Sequence, residues 1–166
     1  MKVSRGKDFE EKFREQLEGL ENISVDRFPD PMAGFLGVRN ICDFGVYEYP
    51  FQYYIECKAF SGNTLNFKSG ITENQWSGLI KKNQIKGVTA GILVWFIDYD
   101  KTVFVPIEIL ENRRQIGFKS LNIKEILEDD LFYIEMKGRK KRVFFDYDIK
   151  GFMDDLSRYT KEYWKL

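Results

Sequence analysis

Apolar positions recur along the chain with two different periods, and the alternation between them lays out an order of helices and strands. Phe9, Phe13, Leu17 and Leu20 fall at helical spacing and predict an amphipathic helix over residues 6–21. Residues 23–28 alternate apolar and polar, as a half-buried strand does. Residues 30–39 hold Pro31, Gly34 and Gly37 and predict a loop. Residues 41–49 and 51–60 are rich in Tyr, Phe, Val and Ile and predict two strands, with Pro50 at the turn between them. A second helix is predicted over residues 72–86. Thr72 and Gln75 have capping-box spacing, and Ile71 and Trp76 hold the two hydrophobic-staple positions around them. The run AGILVWFI over residues 90–97 is continuously apolar, as a central strand covered on both faces must be. A shorter strand follows at 102–106 and a short helix at 121–127. Residues 131–137 and 142–147 predict a hairpin. Ile149, Phe152, Met153, Leu156 and Tyr159 mark a closing helix. The order α-β-β-β-α-β-β, followed by mixed elements, predicts an α/β layer around a mixed central sheet.

Composition narrows the chemistry. A chain of 166 residues with 43% hydrophobic and 31% charged residues suits one globular domain over residues 1–166. No apolar run approaches the ~20 residues of a membrane helix, and the charged start of the chain predicts no secretory signal. The expected setting is the cytoplasm. The chain has no histidine. That excludes Ser-His-Asp and Cys-His catalysis and any zinc site that needs an imidazole. Two cysteines do not furnish a four-cysteine zinc site. Carboxylates, lysine, arginine, tyrosine or a thiol must supply the chemistry.

Lys and Arg together number 26, as do Asp and Glu, so the formal net charge is zero. That balance argues mildly against a nucleic-acid binder, but the distribution is uneven. Residues 137–142 read KGRKKR: Lys137, Arg139, Lys140, Lys141 and Arg142 place five cations in six residues. Two readings stand, a solvated turn between strands and a phosphate-contacting patch.

One cluster stands out. Glu56 and Lys58 are two apart on a predicted strand, so their side chains share a face. A turn at Tyr49 and Pro50 sets Asp43 opposite Glu56 on that face. Two adjacent unpaired carboxylates repel, and a divalent cation removes that cost. Mg2+ takes one or two carboxylates and bridges to phosphate. A neighbouring lysine stabilises a developing phosphorane or orients the attacking water. The pattern therefore points to metal-assisted phosphodiester hydrolysis, and a salt-bridged surface hairpin is the bland alternative. Glu-x-Lys occurs three times, at Glu10, Glu56 and Glu135. The first copy lies on a helix, and the third has acids too close before it for a paired strand and turn. Only the middle copy has a hairpin-spaced Asp before it and a helix and strand after it.

Asp43, Glu56 and Lys58 on a hairpin between two helices resemble the PD-(D/E)xK nuclease core. Within that group the chain resembles RecU-type Holliday-junction resolvases. SRGKDFEEKF is similar to that family's opening Arg-Gly and acidic helix. IECKAFSGNTLNF is similar to its Glu-x-Lys segment, ITENQWSGL to its next helix, and GILVWFIDYDKTVFVP to its next two strands. The resemblance weakens after about residue 110.

The resemblance implies a restriction-endonuclease-like α/β core and a Mg2+-dependent endodeoxyribonuclease, with Mn2+ as a substitute, that resolves four-way DNA junctions and leaves a 5′-phosphate. It implies Asp43 and Glu56 as metal ligands, with the Cys57 backbone carbonyl as a third. Lys58 would position the water, Glu10 would reach the metal through water, and Gln75 would contact the scissile region. Arg5 would contact DNA phosphate, and Thr64 is a further candidate. Glu10 also reads as a solvated first-turn acid that favours the helix dipole, and Gln75 as the capping residue alone. Two-fold junction symmetry implies a homodimer. The long stalk that precedes the catalytic Asp in this family is shortened here to about residues 29–39, which fits a phage-type or minimal resolvase. Cys42 stands where the family tends to have a hydroxyl residue. A restriction- or repair-type nuclease with another DNA substrate, a non-cleaving DNA-binding module and a globular domain with no nucleic-acid role remain the alternatives.

The predicted register sets Cys42 opposite Cys57 on the face away from the carboxylates. The expectation is two small core residues, not a disulfide or a nucleophile. Tyr47, Tyr49, Tyr53 and Tyr54 near the hairpin read as a dimer seam or core in preference to a stacking surface.

Overall fold

A computed structural model describes residues 5–29, 39–140 and 145–166. Helix α1 (Arg5–Glu18) leads into strands β1 (Ile23–Arg27), β2 (Phe44–Glu48) and β3 (Phe51–Phe60). A short strand β4 (Thr64–Asn66) and one turn of helix α2 (Phe67–Gly70) precede α3 (Glu73–Asn83). Then follow β5 (Val88–Phe96), β6 (Lys101–Pro106), α4 (Ile107–Gln115), β7 (Ser120–Asn122) and α5 (Ile123–Leu127). Strands β8 (Ile134–Glu135), β9 (Gly138–Lys140) and β10 (Phe145–Tyr147) lead to α6 (Ile149–Trp164). The central sheet has the order β1-β2-β3-β5-β6-β8. Only β3 and β5 are parallel, and α2 and α3 carry the chain between them. The result is a mixed sheet flanked by helices, as the hydrophobic pattern predicts. No described helix is long and apolar enough to cross a membrane.

Two apolar layers cover the sheet. Phe9, Phe13 and Leu17 of α1 and Phe152, Met153 and Leu156 of α6 pack with Tyr53, Ile55 and Cys57 on one face. Trp76 and Leu79 of α3 and Ile107 and Leu110 of α4 pack with Ala90, Ile92 and Val94 on the other. Strand β5 is buried on both sides, with Leu93 in the first layer and Ile92 in the second. The continuous apolar run reports that double burial.

The β2–β3 hairpin keeps the predicted register, with Phe44 opposite Ile55 and Glu48 opposite Phe51. The ladder ends at Phe44, three residues later than the sequence pattern predicts. There the Asp43 side chain accepts the Cys57 amide at 2.8 Å where a β2 carbonyl would continue the ladder, and the chain bends. This bend overturns the expected placement of the cysteines. Cys42 joins the α3 layer and Cys57 the α1 layer, so they do not face each other. Both are buried free thiols.

The predicted hairpin of residues 131–137 with 142–147 is also corrected. β8 pairs with β6 at the sheet edge, and β9 pairs separately with β10, Lys140 opposite Phe145. Helix α4 escapes the sequence pattern because only Ile107 and Leu110 of its nine residues are buried. α3 ends at Asn83, earlier than predicted. There the Asn83 side chain accepts the Ala90 amide at 2.8 Å and closes the turn into β5. Of the hairpin tyrosines, Tyr53 is core, Tyr54 is half-buried beneath the Lys82 ammonium, and Tyr47 and Tyr49 are exposed.

α3 packs closely on the segment that enters Asp43. A Cβ at Gly78 would run into the Ile41 side chain. Helix propensity alone favours Ala over Gly by about 1 kcal/mol, whereas overpacking costs about 1–3 kcal/mol. Gly78→Ala is therefore expected to lower stability in chemical denaturation. In an Ile41→Ala background the same substitution should become neutral or stabilising, and a loss of equal size in both backgrounds would refute the contact.

Candidate active site

β3 carries Glu56 and Lys58 on the face that α3 covers, two residues apart as strand geometry requires. Glu56 is only 4% exposed. Its Oε1 accepts two hydrogen bonds, from Lys58 Nζ at 2.9 Å and from Gln75 Nε2 at 2.7 Å. Its Oε2 is buried and meets no hydrogen-bond donor. Asp43 stands at the end of the neighbouring strand, and its Oδ2 accepts the Cys57 amide at 2.8 Å. A strand residue's N–H and C=O leave on the same edge, so the Cys57 carbonyl also faces the Asp43 side, past the end of the β2 ladder.

The electrostatics follow from this arrangement. Burial, then the Asp43 carboxylate, push the Glu56 carboxyl well above the usual glutamate range, to about 8, although Lys58 pulls it down. The Lys58 contact alone would favour ionisation; burial in the sheet wins because one ammonium does not replace the lost hydration of two facing acids. Burial, reinforced by Glu56 and Asp43, pushes the Cys42 thiol up to about 12. Burial and the same two acids also raise Cys57. Neither cysteine is a thiolate nucleophile.

Helix α3 organises the site. The Thr72 side chain accepts the Gln75 amide, and Gln75 Oε1 accepts the Thr72 amide at 3.1 Å, so the capping box forms. The same Oε1 lies 3.4 Å from Lys58 Nζ. Gln75 therefore caps the helix and also bridges Glu56 to Lys58. One position earlier, Asn74 Nδ2 donates to the carbonyls of Arg39 at 3.4 Å and Asn40 at 3.2 Å. One turn of α3 thus holds Glu56 directly and the approach to Asp43 by its backbone. Asn74 has no motif signal, because its partners are main-chain carbonyls distant in sequence.

The other sequence candidates stand on other elements. Glu10, half-buried on α1, accepts from Arg27 Nη2 at 3.1 Å and acts electrostatically on the Cys57 thiol. Among the described residues, no group of three or more acids and cysteines forms a ready ligand set. Arg5 is exposed at the start of α1. Thr64 is on β4, where its hydroxyl accepts from Asn122 Nδ2 at 2.9 Å. Lys137 is exposed just before β9; the backbone of Arg139 and Lys140 is on β9, and Lys141 and Arg142 lie outside the described residues.

The raised Glu56 value has a definite sign. The folded chain keeps a proton that the unfolded chain releases near 4.5. The metal-free protein should therefore lose stability as pH rises from about 4.5 to about 8, because the folded state binds more protons across that window. Thermal melts of Glu56→Gln should show a flatter profile over the same window. A wild-type profile no steeper than the variant's would contradict the assignment.

No family model matches the chain, and no curated protein matches it significantly. A solved structure does: Hjc, a Holliday junction resolvase from the archaeal hyperthermophile Archaeoglobus fulgidus, aligns with a TM-score of 0.53 at 17% identity. The alignment covers 78% of this chain and 96% of that one. At that identity the likeness concerns the fold, and the chain has the restriction-endonuclease-like α/β core, with a mixed central sheet flanked by helices.

Proposed function

We propose that this chain is a metal-dependent endodeoxyribonuclease of the PD-(D/E)xK group that cuts four-way DNA junctions, in the manner of RecU-type resolvases. The observation that carries the reading is buried Glu56 beside the partly buried Asp43, with Glu56 Oε2 left without a donor next to Lys58. A buried carboxylate oxygen without a donor is costly. Hard oxygen donors in this setting suit Mg2+, with Mn2+ as a substitute. Asp43 and Glu56 would hold the ion, the Cys57 carbonyl would serve as a third ligand, and Glu10 would act through water.

When bound, the metal supplies Lewis-acid polarisation and lowers the pKa of a coordinated water. The protein's own groups do the rest. Lys58, held between Glu56 Oε1 and Gln75 Oε1, places an ammonium where negative charge develops on the phosphoryl oxygens or orients the attacking water. Gln75 fixes Glu56 and Lys58 in one geometry. Arg5 and the cations Lys137, Arg139, Lys140, Lys141 and Arg142 would meet DNA phosphates. A junction has two-fold symmetry, so two such sites on a homodimer match its two cleavable strands.

A nuclease of the same core with a linear DNA substrate is the second reading. It is favoured by the short segment of residues 29–39, where the resembling family has its long stalk.

The test is a cleavage gel with a labelled four-way junction and a matched duplex, in Mg2+ or EDTA. Symmetric nicking of the junction alone, abolished by EDTA and by Asp43→Asn, is expected. Lys58→Ala should lower the rate by about 10²–10³-fold, the range for losing one preorganised charge-stabilising group. Cutting of both substrates would favour the second reading. A wild type that cuts neither would overturn both.

Mg2+ should also raise the wild-type melting temperature, and should do so more near pH 8 than near pH 6, because the ion competes with the proton on Glu56. Asp43→Asn should lose that rise. A metal-induced rise of the same size in the variant would remove Asp43 from the ligand set.

A further inference from the structure

We infer that a groove beside the start of α3 binds the phosphates of the DNA strand flanking the cleavage site, through Lys68 and Lys119. This inference rests on the nuclease reading above and adds to it a strand-binding surface separate from the basic run at residues 137–142. The groove has a volume of about 550 Å³ and lies between α2, the first turn of α3 and the turn after α4. Trp76 and the half-exposed Phe118 form its apolar walls.

Its charge distinguishes it. Lys68, Lys119 and Arg114 line it against a single acid, Glu73. Arg114 is already matched, by Glu73 at 3.4 Å and Glu111 at 3.1 Å, and it stacks on Trp76 at 4.3 Å. Arg114 is therefore part of the wall. Lys68 and Lys119 are exposed and, among the described residues, make no ion pair. The fold brings them together. Strands β4 and β7 pair, and the Phe67 amide continues the register by donating to the Lys119 carbonyl at 2.9 Å. Lys119 thus stands against Phe67, beside Lys68. Two lysines on one groove whose single acid is already paired with Arg114 leave a positive charge that a bound polyanion would neutralise. Three other clefts lined by described residues each carry more acids than cations.

Position completes the argument. Gln75 bonds Glu56, and the next residue, Trp76, lines the groove. The first turn and a half of α3 thus carries both the residue that holds the Glu56 carboxylate and residues that line the groove. A strand whose reacting phosphate lies at Lys58 continues into it.

The test measures DNA affinity by fluorescence anisotropy across a salt series, in EDTA so that no strand is cut. Wild type is compared with Lys68→Ala/Lys119→Ala and with a control, Lys161→Ala/Lys165→Ala, which removes two exposed cations from the far end of α6. All four positions are exposed, and melting curves confirm folding. The slope of log affinity against log salt should fall by about 0.9 for each lost phosphate contact, thus by about 1.8 in the groove variant, and the control should keep the wild-type slope. A groove-variant slope equal to the control's would overturn the inference while leaving the nuclease reading intact. A lowered slope with no cleavage by wild type in Mg2+ would support the groove and remove the nuclease reading. A wild type with no salt-dependent DNA binding would overturn both.

Discussion

Two carboxyl groups forced together inside a sheet are the constraint around which this protein is organised. Glu56 is buried by the strand that carries it and by the helix laid across that strand. Asp43 is brought beside it by hairpin register and accepts the Cys57 amide, while one oxygen of Glu56 is left without a donor. A buried acid facing a second, repelling acid is not retained for stability, since well-packed apolar residues of similar volume serve at least as well. The arrangement is a store of unfavourable electrostatics that a proton or a hard cation relieves. Nuclease chemistry is the reading that gives that relief a purpose.

The helix across the sheet converts this local strain into a defined geometry. Three side chains of its cap and first turn serve the site: Thr72 and Gln75 close the cap, Gln75 reaches Glu56 and Lys58, and Asn74 fastens the backbone leading to Asp43. Gly78, one turn further, lets the helix approach that same backbone. The staple residues Ile71 and Trp76 anchor this turn in the apolar layer beneath, and both are nearly fully buried. Helix stability and site geometry are thus one structural problem. A side chain that caps the helix also orients the charged groups, so a change at Gln75 disturbs both.

Much of this was legible in the residues. Burial on both faces leaves strand β5 no polar positions, so it announces itself as an apolar run. A tight turn at Tyr49 and Pro50 leaves one register for the hairpin, and that register placed Asp43 near Glu56. The capping box is local in sequence and needs only a spacing of three. The less legible elements share a different cause. Helix α4 buries too few residues to show a period. β8 contributes two residues to the sheet edge, and its membership depends on the partner strand β6 and not on its own pattern. The cysteines were misplaced because the β2–β3 ladder stops at Phe44, where the Asp43 side chain and not a main-chain carbonyl takes the Cys57 amide.

The sequence by itself determined the alternation of helices and strands, the hairpin register and the residue types able to do chemistry, because periodicity, turn residues and the absence of histidine are local properties of the chain. Only the tertiary structure decided the rest. It decided that Gln75 both caps and bridges, that Glu10 is engaged by Arg27, that one oxygen of Glu56 lacks a donor, and that Lys68 and Lys119 line one groove. Each of these depends on which distant backbones lie within hydrogen-bonding or Coulombic range. That proximity is fixed by the packing of two apolar layers on one sheet, which no local pattern in the sequence encodes.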